Sequence, residues 1–200
     1  MSSVALKEKE LRHDLTAIYE AFKTRAEAVS AEVYRFATQA QALDFIIERL
    51  EMENIKNEPN SYAVWANSLM TQSLDKKAFA ASIPGVKFEV TKEIAAQAKI
   101  GITEMNWALA DTGTLVADTT AVDSRLASTL TEIHIAVIST VNIHSDLINL
   151  FKNVNAKDAS YLSFITGPSR TSDIERILTI GVHGPARLII VFVDELGGGK

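Results

Sequence analysis

The sequence predicts an α/β fold built on a largely parallel sheet, entered through N-terminal helices and interrupted by one hairpin. Two observations predict it. Short apolar runs such as Tyr62–Ala66, Ile133–Ser139 and the one that ends at Val193 alternate with segments of helical period through most of the chain. The runs are separated by turn pairs, Pro84-Gly85, Gly167-Pro168 and Gly184-Pro185. A length of 200 residues suits one domain able to bury its own core. The expected organisation is a flexible stretch over 1–9, a single domain over 10–195, and a disordered tail over 196–200.

Leu11, Leu15, Ile18, Phe22 and Val29 fall on one helical stripe. The stripe could run on to Leu50, but Glu32–Phe36 is rich in strand formers. Thr38 and Gln41 have the spacing of a capping box that opens a new helix. The reading is therefore helix, short strand, helix. Next come a strand at Tyr62–Ala66, a helix from about Ser68 to Ala81, and a strand at Val86–Val90. The stretch "KEIAAQAK" is expected to be a helix stopped by Gly101. Two short apolar runs around Asp111-Thr112-Gly113 have hairpin chemistry. Ile133–Ser139 reads as a strand and Asp146–Val154 as a helix. The remaining stretch, Phe164–Val193, reads as strand, loop, helix over "DIERILTI", loop, strand.

Composition excludes several chemistries. A net charge of −5 argues against broad binding to nucleic acid or acidic membranes. With no cysteine in the sequence there is no disulfide, no thiolate nucleophile and no thiolate-held zinc or iron–sulfur cluster. No apolar run has the length of a membrane span, and the N-terminus lacks a secretory core, so a cytoplasmic location is expected. No metalloprotease, P-loop or nucleophile-elbow signature is present, and no metal or cofactor is expected in this chain.

Three turns gather the polar chemistry. Ser169, Arg170, Thr171 and Asp173 follow an apolar strand and open the expected helix, where backbone N–H groups and the dipole favour an anion. The same residues would equally serve as helix caps. His183 lies between Gly181 and Gly184, where an imidazole could act as acid, base or orienting partner. Asp111, Thr112, Gly113 and Thr114 offer a carboxylate and two hydroxyls, or simply a tight turn. His13 sits on a polar helix face, and His134 begins a strand, where a buried and hydrogen-bonded ring is expected.

Three segments in order resemble a known family. "GITEMNWALADTGTLV", "RLASTLTEIHIAVI" and "ITGPSRTSDIERILTIGVHGP" are similar to the signatures of the lactate-utilisation (LUD) domain family, LutC/YkgG-like, across about residues 10–194. The resemblance implies a three-layer fold of the NagB/RpiA/CoA-transferase-like kind. It also implies a role in bacterial oxidation of lactate to pyruvate, beside partner proteins that carry iron–sulfur clusters. The cysteine-free chain matches the small, cluster-free member of such a system. Motif residues carry over as Thr112, Gly113, Thr114, Arg125, His134, Gly167, Pro168, Ser169, Thr171, Asp173, Glu175, His183 and Gly184. Asp111 stands where the family usually has Glu, and Thr131-Glu132 replaces a common Pro-Pro.

The resulting expectation is an accessory subunit that binds a small anionic ligand and docks on redox partners. Its ligand-binding residues would be Thr112, Gly113, Thr114, Arg125, His134, Ser169, Arg170, Thr171, Asp173 and His183, the arginines taking a carboxylate. The alternative is a stand-alone enzyme on an acyl or phosphorylated substrate, with Asp111 or Glu132 as nucleophile or base and His183 assisting. A scaffold that associates through its N-terminal helices is a third reading. Whether this chain catalyses a reaction itself, and whether it forms a homo-oligomer, stays open at the level of sequence.

Overall fold

The computed structural model of the chain describes residues 3–155, 158–172, 178–181 and 183–197. Helix α1 (Ser3–Ala28) takes in most of the stretch expected to be loose. It ends where Ser30 turns left-handed at φ 71° and the Ala31 N–H returns to the Ala26 carbonyl at 3.0 Å. The strand formers then take over as β1 (Glu32–Thr38), so the apolar stripe does not continue as one long helix. Thr38 and Gln41 make the capping box the sequence predicts and open α2 (Gln39–Met52).

Six strands form the central sheet: β1, β2 (Tyr62–Trp65), β3 (Val86–Lys87), β4 (Ala98–Glu104), β7 (Ile133–Ser139) and β12 (Arg187–Glu195). Their order is β1-β12-β7-β4-β2-β3, and every neighbouring pair is parallel. Both faces are covered, which is why these strands read as nearly unbroken apolar runs. On one face α2 packs Phe45, Ile46 and Leu50 against Ile102, Ile135 and Val191, joined by Met70 of α3 (Leu69–Gln72) and Phe79 of α4 (Lys76–Ser82). On the other, Tyr19 and Phe22 of α1 meet Phe192 edge-on, at centroid distances of 5.3 and 5.1 Å.

That second face also carries a four-stranded sheet, ordered β8-β5-β6-β9. It comprises β5 (Trp107–Leu109), β6 (Thr114–Asp118), β8 (Ile143–His144) and β9 (Leu162–Ile165), with β5 and β6 forming the expected antiparallel hairpin. Helix α7 (Leu147–Asn153), capped by Asp146, closes its outer side through Leu150. The core is thus three layers, helices, parallel sheet, then α1 with the small sheet, and α7 lies outside them.

The structure corrects several elements. The helix expected over Ser68–Ala81 is two, because Asp75 accepts from the Lys77 and Ala78 N–H groups and starts a new one. The expected strand Val86–Val90 is reduced to Val86–Lys87. Helix α5 (Lys92–Ala95) ends early, and β4 runs straight through Gly101, since buried Ile100, Ile102 and Thr103 favour a strand. Gly101 does not stop a helix. A Cβ there would lie 1.8 Å from the Ala127 carbonyl oxygen, so the residue admits the close approach of α6 (Val122–Thr129), a helix with no side-chain cap to announce it.

The helix expected after Ser169 is contradicted where it is described. Leu178–Ile180 is strand β11, paired antiparallel with β10 (Arg170–Ser172). Residues 173–177, including Asp173 and Glu175, lie outside the described residues. In the tail, Leu196 packs on the core and the Gly197 N–H donates to Gln39 Oε1 at 3.1 Å, while 198–200 lie outside the described residues.

Candidate functional site

The two glycine-proline turns meet. The Ser169 N–H donates to the Pro185 carbonyl at 2.8 Å, and the Gly181 N–H donates to the Ser169 carbonyl at 3.0 Å. Gly167 permits this course because it is left-handed at φ 71° and a Cβ would sit 2.6 Å from the Val29 carbonyl oxygen. Together with α6 and β9 the turns enclose a cleft of about 750 Å³. Its floor is the start of β7 and β12, through His134 and Leu188.

Arg125 on α6 forms one wall. One guanidinium nitrogen donates to the Thr119 carbonyl at 2.8 Å, and the guanidinium carbon lies 4.5 Å from the Tyr161 ring centroid. Stacking and hydrogen bonding hold the planar fork in place without neutralising it. Ser163, Thr166 and Ser169 add hydroxyls, Ser128 and Thr129 spend theirs on the Arg125 carbonyl at 3.2 and 2.6 Å, and Phe164, Ile165 and Pro168 supply an apolar wall. Ser163 Oγ lies 2.6 Å from Thr119 Oγ1, and Thr166 Oγ1 lies 2.8 Å from Thr114 Oγ1. The cleft therefore joins one fixed cation to hydroxyl donors beside apolar surface, a chemistry suited to a small carboxylate.

His134 at the floor is 1% exposed, with Nε2 2.8 Å from Thr103 Oγ1. Burial pushes its pKa down to about 4, so the ring is neutral near pH 7. His183 is exposed and lines both this cleft and an adjoining cavity of about 520 Å³. Glu132 lines that second cavity, and its carbonyl accepts the Ala186 N–H at 2.8 Å, tying the starts of β7 and β12 together. Lys99, also on its wall, is committed to Glu53 at 2.7 Å, and Arg187 bridges Glu53 and Glu32 at 2.7 and 2.8 Å. Lys99 and then Arg187 hold the Glu53 carboxyl below its usual range against the opposing effect of burial.

The expected residues divide accordingly. Arg125, His134, Ser169 and His183 line the cleft, and Thr114 supports it through Thr166. Asp111, Thr112 and Gly113 do not line it. The first two are exposed, and Gly113 packs on α1, where a Cβ would lie 2.4 Å from the Ala26 nitrogen. Arg170 points to the end of α1, donating to the Val29 carbonyl and Ser30 Oγ, both at 2.7 Å. Thr171 lies in β10, and Asp173 is outside the described residues.

The position of the cleft also differs from expectation. It lies at the amino ends of β7 and β12, at the carboxyl end of β9, and not beside a helix N-terminus in the parallel sheet. At the carboxyl edge of that sheet, Glu104 caps α3 by accepting the Leu69 N–H at 2.8 Å. Sequence reasoning missed Thr103, Tyr161 and Ser163, because each reaches the site through a partner distant in the chain.

The family model described as the LUD domain matches residues 19–193. The chain belongs to the LUD domain family. Lactate utilization protein C from Exiguobacterium sp. is 35% identical over 114 residues, 54% of this chain and 50% of that protein. The protein of the same name from Bacillus subtilis is 35% identical over 109 residues, 50% of this chain and 45% of its own length. Each match thus spans about half the length of the relative. Among solved structures, a DUF162 family protein from Deinococcus radiodurans superposes with a TM-score of 0.62 at 18% identity, covering 90% of this chain and 98% of that one. This last likeness is one of fold. Among the described residues of this LUD domain, no group of three His, Cys, Asp or Glu side chains could hold a metal ion, and no helix is long and apolar enough to cross a membrane.

Proposed function

We propose that this LUD domain serves in lactate utilisation as a cluster-free accessory protein, binding a small carboxylate such as lactate or pyruvate in the cleft beneath Arg125. The names of the relatives support the process. One observation carries the ligand class: a guanidinium stacked on Tyr161 on the wall of a cleft with Ser163, Ser169 and a neutral His134. Electron transfer would fall to iron–sulfur partners, since a chain without cysteine offers no thiolate to a cluster. Calorimetric titration of lactate, pyruvate and phosphate into wild type and Arg125→Lys tests the reading. An ammonium cannot reproduce the planar fork, so the variant should bind the carboxylate roughly ten- to a hundredfold more weakly. Equal affinities in both proteins would remove Arg125 from the site.

A second reading draws on the adjoining cavity, where Glu132 and His183 lie together. In it the chain is an enzyme on an acyl or phosphorylated substrate, and its test is product release from such compounds by the purified protein.

A further inference from the structure

At the floor of the cleft the motif histidine His134 is paired with a threonine buried behind it, Thr103. In the parallel pairing of β4 with β7, Gly101 stands opposite His134, and Thr103, two residues further on, shares that face. Thr103 is fully buried, and among the described residues its hydroxyl meets only His134 Nε2, at 2.8 Å. A hydroxyl carries one proton and two lone pairs, and a stranded buried donor is rarer and costlier than an unused lone pair. If the ring donated here, the Thr103 proton would have no acceptor. Either tautomer leaves one donor without an acceptor among the described residues, but an acceptor in the cleft can reach the ring of His134 and not the fully buried Thr103. The hydroxyl therefore donates, and the neutral ring carries its own proton on Nδ1.

Nδ1 has no hydrogen-bond partner among the described residues. It is also absent from the buried orphan atoms of that set, which are Arg49 Nε and Thr140 Oγ1. His134 lines the cleft, and with Nε2 held by Thr103 the nitrogen left for a cleft occupant is Nδ1. We propose that Thr103 is a positioning residue, fixing the His134 tautomer that presents Nδ1–H to a carboxylate or carbonyl oxygen of the ligand. The ligand half of this proposal rests on the small-carboxylate reading of the cleft. Arg125 would then supply the charge from the wall and His134 an uncharged donor from the floor, a pairing that favours a 2-oxo acid over a simple anion.

Long-range ¹H–¹⁵N NMR of the imidazoles tests the claim directly, in wild type, Thr103→Val and Thr103→Ser. Wild-type His134 should show a pyrrole-like Nδ1 and a pyridine-like Nε2, and Thr103→Ser should keep that pattern. Thr103→Val should shift population to the Nε2–H form and weaken pyruvate binding roughly three- to tenfold, with Thr103→Ser restoring it. Wild-type His134 protonated on Nε2, or an unchanged tautomer in Thr103→Val, would overturn the proposal. A shifted tautomer with unchanged pyruvate affinity would overturn its ligand half. If wild type binds no pyruvate at all, the carboxylate reading falls, while the tautomer result still decides the role of Thr103.

Discussion

Gly101→Ala places one methyl group where the structure has no room. The added Cβ would stand 1.8 Å from the Ala127 carbonyl oxygen and 2.8 Å from Thr131 Oγ1, where real Cβ contacts stay beyond 3.0 Å. The obstacle is backbone, so rotation of a side chain cannot relieve it, and α6 must move away from β4 by more than an ångström. Overpacking of a tight core costs about 1–3 kcal/mol, and a backbone clash of this depth belongs at the upper end. For a domain of this size about 3 kcal/mol lowers the melting temperature by roughly 6–12 °C. Because α6 carries Arg125, carboxylate affinity should fall as well. Gly184→Ala is the milder comparison for stability, since its Cβ would meet Ser169 Cβ at 3.3 Å, a contact relieved by a shift of a few tenths of an ångström. Circular-dichroism melts of the three proteins read the outcome. A Gly101→Ala protein melting within two degrees of wild type, with unaltered binding, would refute the close-approach argument.

Two further outcomes follow from the same geometry. His134 has its pKa depressed to about 4 by burial, so the folded state resists the proton that an unfolded histidine takes up near pH 6.5. Stability should therefore be lost as pH falls from about 6.5 toward 4, by about 3 kcal/mol, and His134→Gln should flatten that limb in denaturant titrations across pH. Arg170→Lys should leave pyruvate affinity within twofold and cost about 0.5–1 kcal/mol, because the exposed guanidinium it replaces bonds the end of α1. A large affinity loss in that variant would place Arg170 in the site.

Local signals were legible in the sequence where the physics is local. The Thr38–Gln41 box, the helix read over Asp146–Val154 and the hairpin about Gly113 depend on neighbours a few residues apart. Gly101 shows the limit. As a symbol after "AAQAK" it resembles a helix stop, whereas its reason for being glycine is a carbonyl oxygen 26 positions downstream. Arg125 and Arg170 were equivalent carboxylate binders on paper, and only the fold separates the one stacked on Tyr161 at the cleft from the one that ties down α1. The two glycine-proline turns were recognisable as chemistry, but the bond between Ser169 and Pro185 that joins them is a tertiary fact. Asp111 kept its motif neighbours yet stands on an exposed turn away from the cleft.

The most direct measurement is a map of backbone amide shifts in ¹⁵N-labelled protein as pyruvate is added. Binding in the cleft should perturb Arg125–Thr129, Ser163–Ser169 and Gly184 saturably while leaving the turn at Asp111–Gly113 untouched. Saturable shifts centred on that turn, or on Asn67–Met70 at the opposite edge of the sheet, would contradict the assignment of the site.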